Sequence, residues 1–305
     1  MTDVMYKIGC HVSIAGGVWN APKNAADLGC ETFQIFTRPP MGGNAPELTP
    51  EIISKFKEEM ERCFDRGVPS AAEGTPLFVV HCPYFVNFGS ATPRIYHGSI
   101  SVVGEELKRA NLLGAKYVMT HLGSFKDLGA KKGMKQAKAG LSEVLKKYKG
   151  DTAFLLEIAA GSGETIGGNF EQLAELMEPL MKFKTFGGVC FDTQHAFASG
   201  YDLRDASSVA KTFKQFDKAI GLKWLKMSHV NDSKVEVGGR TDRYEHSGQG
   251  KIGEKGFKAF LEYLNEEFRM QNAKSEPFCL ILETEHDKVK IDIKLLKSLR
   301  DGLKK

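Results

Sequence analysis

The stretch Ala153-Phe154-Leu155-Leu156-Glu157-Ile158, followed by the amphipathic run Asn169 to Phe183, sets the reading of the whole chain. An apolar run of strand length that closes on a carboxylate, then apolar residues at three- and four-residue intervals, is a β–α unit. Seven further β-like runs of strand length stand along the chain: Tyr6 to Val12, Thr32 to Thr37, Leu77 to His81, Tyr117 to His121, Gly187 to Asp192, Leu225 to Val230 and Phe278 to Glu283. Helical spacing returns between them in Thr49 to Gly67, Ser99 to Leu113, Gly133 to Tyr148, Asp205 to Ile220 and Gly253 to Phe268. Thr49-Pro50-Glu51 reads as a helix start, and Gly67 and Gly114 as stops. Eight alternating units predict an α/β fold: a single (β/α)8 TIM barrel over residues 1–305, with its site at the C-terminal face of the strands. An open doubly wound sheet would show a glycine-rich fingerprint after its first strand, and neither Gly9-Cys10-His11 nor Gly16-Gly17 supplies one.

Composition sets the outer bounds. With 305 residues, 42% of them hydrophobic, the chain has apolar material for a substantial core, which excludes a disordered class. A formal charge of +4 permits an anionic partner such as nucleic acid without requiring one. No run reaches the roughly 18 apolar residues of a membrane span, and Met1 to Gly9 lacks a secretory leader's apolar stretch. An intracellular monomer with no membrane partner is therefore expected. The cysteines at 10, 30, 63, 82, 190 and 279 form no CxxC pair, so reduced thiols are expected, with Cys190 and Cys279 in the core.

The chemistry is written at the ends of the strands. Seven of the eight apolar runs carry a metal-competent or acid–base side chain at their last or next-to-last position: His11, His81, His121, Glu157, Asp192, His229 and Glu283. The second run closes on Thr37 instead. Two residues back from these ends stand Val79, Met119, Leu155, Cys190, Met227 and Ile281, with Leu77 and Cys279 further down, so parity turns the polar ends into the barrel axis. Each residue alone has an ordinary reading, since a strand-end histidine is commonly a hydrogen-bonded structural residue. Residues of this kind at equivalent ends of successive strands are not independent accidents. Three carboxylates gathered without a counter-charge carry a heavy desolvation cost, which divalent cations remove. Asp192-Thr-Gln-His195 adds an imidazole three residues on, and the loop Gly238-Gly-Arg-Thr-Asp242-Arg243 returns another carboxylate. Histidine and carboxylate donors without thiolate suit Zn²⁺, Mn²⁺ or Fe²⁺, and the number of imidazoles favours Zn²⁺.

The ordered set of motifs resembles the endonuclease IV family of apurinic/apyrimidinic endonucleases nearly end to end. It comprises Gly9-Cys-His-Val-Ser-Ile-Ala-Gly-Gly17, His81-Cys-Pro-Tyr-Phe85, Thr120-His-Leu-Gly-Ser124, Leu156-Glu-Ile-Ala-Ala-Gly161, Cys190-Phe-Asp-Thr-Gln-His-Ala-Phe197, Gly200-Tyr-Asp202, His229-Val-Asn-Asp-Ser-Lys234, Asp242-Arg243, Gly250-Lys-Ile-Gly253 and Leu282-Glu-Thr284. The resemblance implies a xylose-isomerase-like barrel with two or three zinc ions, one position open to Mn²⁺ or Fe²⁺. His81, His121 and Glu157 would hold the first ion. Glu157 would bridge to a second held by Asp192, His229 and Glu283, and His195 with Asp242 would hold a third. It also implies hydrolysis of duplex DNA 5′ to abasic sites, leaving a 3′-hydroxyl and a 5′-deoxyribose phosphate, and trimming of blocked 3′ ends. Glu157 and Glu283 would be the catalytic carboxylates, Tyr84 and Phe85 a wedge entering the duplex, and Arg243 a phosphate contact. Arg38, Lys126, Lys234 and Arg240 are further rim candidates.

The chain departs from that pattern in two places. Tyr244 stands where the family places a histidine after Asp-Arg, so the third position is weakened, completed by His246, or completed by a phenolate. Met41, in the loop Arg38 to Gly43, stands at an arginine-type position. The segment Pro69 to Pro76 reads as an added loop of unread purpose. Two competing functions stand beside the nuclease: a metal-dependent sugar isomerase or epimerase on the same barrel, and a protein that binds abasic DNA without cutting it.

Overall fold

The computed structural model describes residues 6–64, 77–270 and 277–303. The segment Pro69 to Pro76 and the stop at Gly67 lie outside them. Eight parallel strands close a barrel: β1 (Tyr6–His11), β2 (Thr32–Ile35), β3 (Phe78–His81), β4 (Tyr117–Thr120), β5 (Ala153–Glu157), β6 (Phe186–Asp192), β7 (Leu225–His229) and, after a short antiparallel ribbon of β8 (Asp232–Ser233) and β9 (Tyr244–Glu245), β10 (Phe278–Leu282). The chain runs round the barrel in order and β10 closes on β1, with Cys10 opposite Leu282.

Helices fill the crossovers that parallel strands require. They are α1 (Ala21–Leu28), α2 (Pro50–Phe64), α3 (Pro93–Leu113), α4 (Ala130–Lys147), α5 (Phe170–Met177), α6 (Thr193–Ala198), α7 (Ala206–Ala219), α8 (Gly253–Met270) and α9 (Val289–Gly302). The Thr49 hydroxyl accepts the Ile52 amide at the start of α2, and Gly114, at φ 88°, ends α3 in the left-handed region as expected. Three features differ from the sequence reading. Helices α1 and α9 lie outside the periodic segments, α3 begins six residues before Ser99, and α5 ends at Met177 rather than Phe183. Proline in the first turn of α1 and of α3 is the available signal for two of these starts.

Side-chain parity divides the apolar residues into two layers. One face of the strands, with Phe33, Val80, Val118, Leu156 and Leu280, packs beneath the helices in the large outer core. The other face forms a separate cluster inside the barrel: Val79, Tyr117, Met119, Leu155, Cys190, Met227, Cys279 and Ile281, with Leu77 and Ala153 at its edge. The inward residues expected from the sequence are all in this cluster. Gly9 sits so near β2 that a Cβ would lie 1.6 Å from the Thr32 carbonyl oxygen, so it serves strand packing and not a nucleotide-binding turn. All six cysteines are free thiols. Among the described residues, no helix is long and apolar enough to cross a membrane.

Candidate metal centre

One step above the inner apolar layer, the strand ends converge on Glu157. Its two oxygens face different partners. Oε2 lies 3.1 Å from His81 Nε2 and 3.4 Å from His121 Nε2, whereas Oε1 lies 2.8 Å from His229 Nδ1 and 3.5 Å from His195 Nδ1. Two groups of donor atoms, each within 4.8 Å of one another, therefore share this carboxylate: His81, His121 and Glu157, and Glu157, Asp192, His229 and Glu283. All are buried except His121 and Glu283, which are partly exposed. His195 and Asp242 form a third pair, Nε2 to Oδ2 3.4 Å, in which the aspartate is half exposed.

The imidazoles are held from behind. His81 Nδ1 faces the Cys82 carbonyl at 2.5 Å, and His195 Nδ1 faces the Ile158 carbonyl at 2.9 Å. His229 turns Nε2 to the Gln34 side-chain oxygen at 2.8 Å. A ring nitrogen facing an acceptor carries the N–H, which fixes the tautomer and leaves the other nitrogen with a lone pair. At His81 and His229 that lone pair looks straight at a carboxylate. Two lone pairs at such distances need a proton or a cation between them, so this donor set fits metal ions.

Charge tells the same story. Burial opposes ionisation of Glu157, yet His229 and His121 carry its carboxyl well below the ordinary range. Burial likewise opposes a charged His195, but Asp192, Asp242 and Glu157 hold it well above the usual imidazole value. At Asp192 burial prevails and the carboxyl is pushed up. The carboxylates thus draw positive charge onto buried imidazoles, a demand that a divalent cation meets without protonating them. The Cys190 thiol also comes within reach of Glu157 and His229, but burial pushes it up to about 11, so it remains a thiol of the inner layer.

Local backbone geometry explains how Asp192 serves two ends. It caps α6, its Oδ1 accepting the His195 amide at 2.8 Å, while Oδ2 faces the cluster and accepts from Asn231 Nδ2 at 2.8 Å. Its spacing to His195 is that of a helix cap to the third residue of the first turn. Asn231 also receives the Glu283 backbone amide at 2.8 Å. Asp232, next in the chain, is turned away and gathers the amides of Ser233, Gly248, Gly250 and Ile252, so it anchors the loop before α8.

Several residues stand differently from their sequence reading. Strand β2 does contribute to the site, through Gln34 rather than Thr37: Gln34 Nε2 donates to Glu283 Oε1 at 2.6 Å and also meets His11 Nδ1 at 3.0 Å. A polar residue between Phe33 and Ile35, in parity with Thr32, is the signal that could have found it. Thr37 belongs to a buried network under the loop, donating to Glu106 at 2.6 Å and accepting from Arg109. Arg38, a candidate phosphate contact by sequence, is buried against Glu106 at 2.6 Å and does not reach the rim. Lys126, Lys234, Arg240 and Arg243 are exposed. His246 does not complete the third group; its ring is held by Asp292 at 2.7 Å and Asp287 at 3.3 Å. The Tyr244 hydroxyl instead lies 3.2 to 3.3 Å from His195 Nε2, Glu283 Oε2 and Asp192 Oδ2, brought there by the β8–β9 ribbon. Tyr84 lies beside the cluster with its ring 5.8 Å from that of His81, and it and Phe85 are 51% and 41% exposed. A cavity of about 510 Å³ opens beside Tyr244 and Glu283, flanked by Lys234 and Arg243.

The chain is similar to known proteins. Residues 22–299 match the family described as a xylose isomerase-like TIM barrel. A probable endonuclease 4 of Nitrosopumilus maritimus is 40% identical over 260 residues, 85% of this chain and 89% of that protein. The chain belongs to the endonuclease IV family. The crystal structure of endonuclease IV from Thermus thermophilus superposes with a TM-score of 0.79 at 31% identity, over 98% of this chain and 99% of that one. By family the protein is an endonuclease of the deoxyribonuclease IV type. A D-tagatose 3-epimerase-like protein also superposes, with a TM-score of 0.72 over 98% of each chain, but at 19% identity this shows a shared fold and no more.

Proposed function

We propose that this endonuclease IV family member cuts duplex DNA 5′ to abasic sites, leaving a 3′-hydroxyl and a 5′-deoxyribose phosphate, and trims blocked 3′ ends. The observation that carries the reading is the buried carboxylate Glu157 facing His81 and His121 with one oxygen and His229 with the other. Such a bridge suits two adjacent divalent cations, and three histidines with three carboxylates suit zinc, with Mn²⁺ or Fe²⁺ tolerated at one position. His81, His121 and Glu157 would hold one; Glu157, Asp192, His229 and Glu283 the other. When bound, divalent cations supply positive charge to a phosphoryl group undergoing displacement and a nucleophile near neutral pH.

The chain's own residues do the rest. Glu283 projects into the cavity beside Tyr244, where one oxygen accepts from Gln34 and the other meets His229 at 3.3 Å, so it is placed to orient or deprotonate an attacking water. Tyr84, whose ring lies near those of His81 and His121, and its chain neighbour Phe85 offer exposed rings suited to fill a gap in a base stack; unstacking costs least where a base is missing. Arg243, exposed at the same cavity, is available to a backbone phosphate.

The test is incubation with a duplex carrying one tetrahydrofuran residue, with and without zinc, beside a parallel incubation with a keto sugar. Zinc-dependent incision 5′ to the lesion is expected. Retention of the duplex without cutting, or turnover of the sugar, would overturn the proposal.

A further inference from the structure

The third corner of the centre is built differently from the other two. Around Glu157 every cation position has at least three imidazole or carboxylate donors within 4.8 Å of one another. At the third corner, among the described residues, the imidazole and carboxylate donors not already used by the other two positions are His195 Nε2 and Asp242 Oδ2, 3.4 Å apart, and the aspartate is half exposed. His246, the nearby imidazole that would complete a triad, is committed to Asp292 and Asp287. Two protein donors fall short of the three that even an open zinc site retains.

The space is occupied by the Tyr244 hydroxyl. It lies 3.2 Å from His195 Nε2, 3.2 Å from Glu283 Oε2 and 3.3 Å from Asp192 Oδ2. The hydroxyl and His195 Nε2 can each give or take the hydrogen bond between them, whereas both carboxylate oxygens accept from the hydroxyl. The hydroxyl gives its proton to one carboxylate oxygen at a time and, with the His195 contact, links side chains from β6, α6 and the residue that follows β10. A hydroxyl there fills the space between these groups and links them without a cation.

We infer that this protein is a two-cation enzyme whose third metal position is replaced by the Tyr244 hydroxyl, a positioning residue that holds Asp192, His195 and Glu283 by hydrogen bonds. This rests on the proposed metal-dependent function, and the test separates the two. Zinc per chain is counted by inductively coupled plasma mass spectrometry on the full-length protein after free metal is removed, alongside incision of the tetrahydrofuran duplex. Two zinc ions per chain are expected for the wild type and for Tyr244→Phe, and three for Tyr244→His. A count of three in the wild type overturns the inference, as does a count that stays at two in Tyr244→His. Should the histidine variant not fold, Asp242→Ala decides: it is expected to keep both ions, and loss of one overturns the inference. A two-zinc wild type that leaves the duplex intact would instead refute the nuclease reading while leaving the stoichiometry standing.

Discussion

Two residues along the same strands separate Leu155 from Glu157, Met119 from His121, Cys190 from Asp192 and Met227 from His229. All eight point to the barrel axis, yet the lower set is a closed apolar cluster and the upper set a group of charges. The lower layer is held by packing and asks nothing of the solvent. The upper layer places carboxylates out of water, which is tolerable only with compensating positive charge. The same contrast recurs at the opposite end of the barrel. There Glu31 is half-buried beside its own cation, with the Arg300 guanidinium at 2.6 Å and the Ile8 amide at 3.0 Å. A carboxylate that brings its partner in the sequence is a brace; carboxylates that lack one form a binding site.

The sharpest way to break this contrast is Glu157→Gln, which keeps shape and removes the shared charge. Incision should fall to background, and elemental analysis should show fewer bound metal ions; an unchanged metal content would deny Glu157 its bridging role. A milder blow is Gln34→Ala, which removes the hydrogen-bond partner of His229 and Glu283 while leaving every proposed ligand in the sequence. Loss of such a supporting partner typically weakens metal binding by about 10–100-fold, and competition with a chelator would measure it. One layer down, Leu155→Ala should cost about 2–5 kcal/mol of stability by the usual large-to-small rule. Its metal count should stay unchanged at temperatures where the variant is folded, as checked by denaturant unfolding and elemental analysis together.

The smallest effect concerns Glu31→Gln. Burial opposes the charge on Glu31, but the hydrogen bonds and charge of Arg300 outweigh it and hold the carboxyl below its ordinary value of 4.5. With the folded value depressed, the stabilisation is fully present above that ordinary value and disappears as pH falls through the folded one. The melting temperatures of wild type and variant should therefore differ at neutral pH and converge in acid. A difference that persists at low pH would assign it to packing.

Much of the centre is readable from residue order because a barrel converts sequence period into direction. A strand that ends on Glu157 or His81 two places beyond an inward apolar residue has to send that end into the axis. Gln34 escapes such a reading because the β-like run continues to Thr37, two residues past the strand's end at Ile35, and that overrun assigns the strand a residue that belongs to the network with Glu106 and Arg109. Arg38 misleads for a related reason: nothing local distinguishes an arginine on the rim from one folded under a loop against a glutamate 68 residues away. The place of Tyr244 is equally closed to local reading, since it depends on a ribbon pairing Ser233 with Tyr244 across a turn.

What the chain order determined unaided was the barrel, its inner apolar layer and the strand-end side chains that meet above it, since alternation and strand count need only neighbouring residues. What the tertiary structure decided was which atoms face one another: the two faces of Glu157, the anchoring of each imidazole, the turning away of His246 and the arrival of a hydroxyl at the third corner. Those outcomes depend on distances between residues remote in the chain, and charge acts over a few ångströms, so they exist only once the barrel has closed.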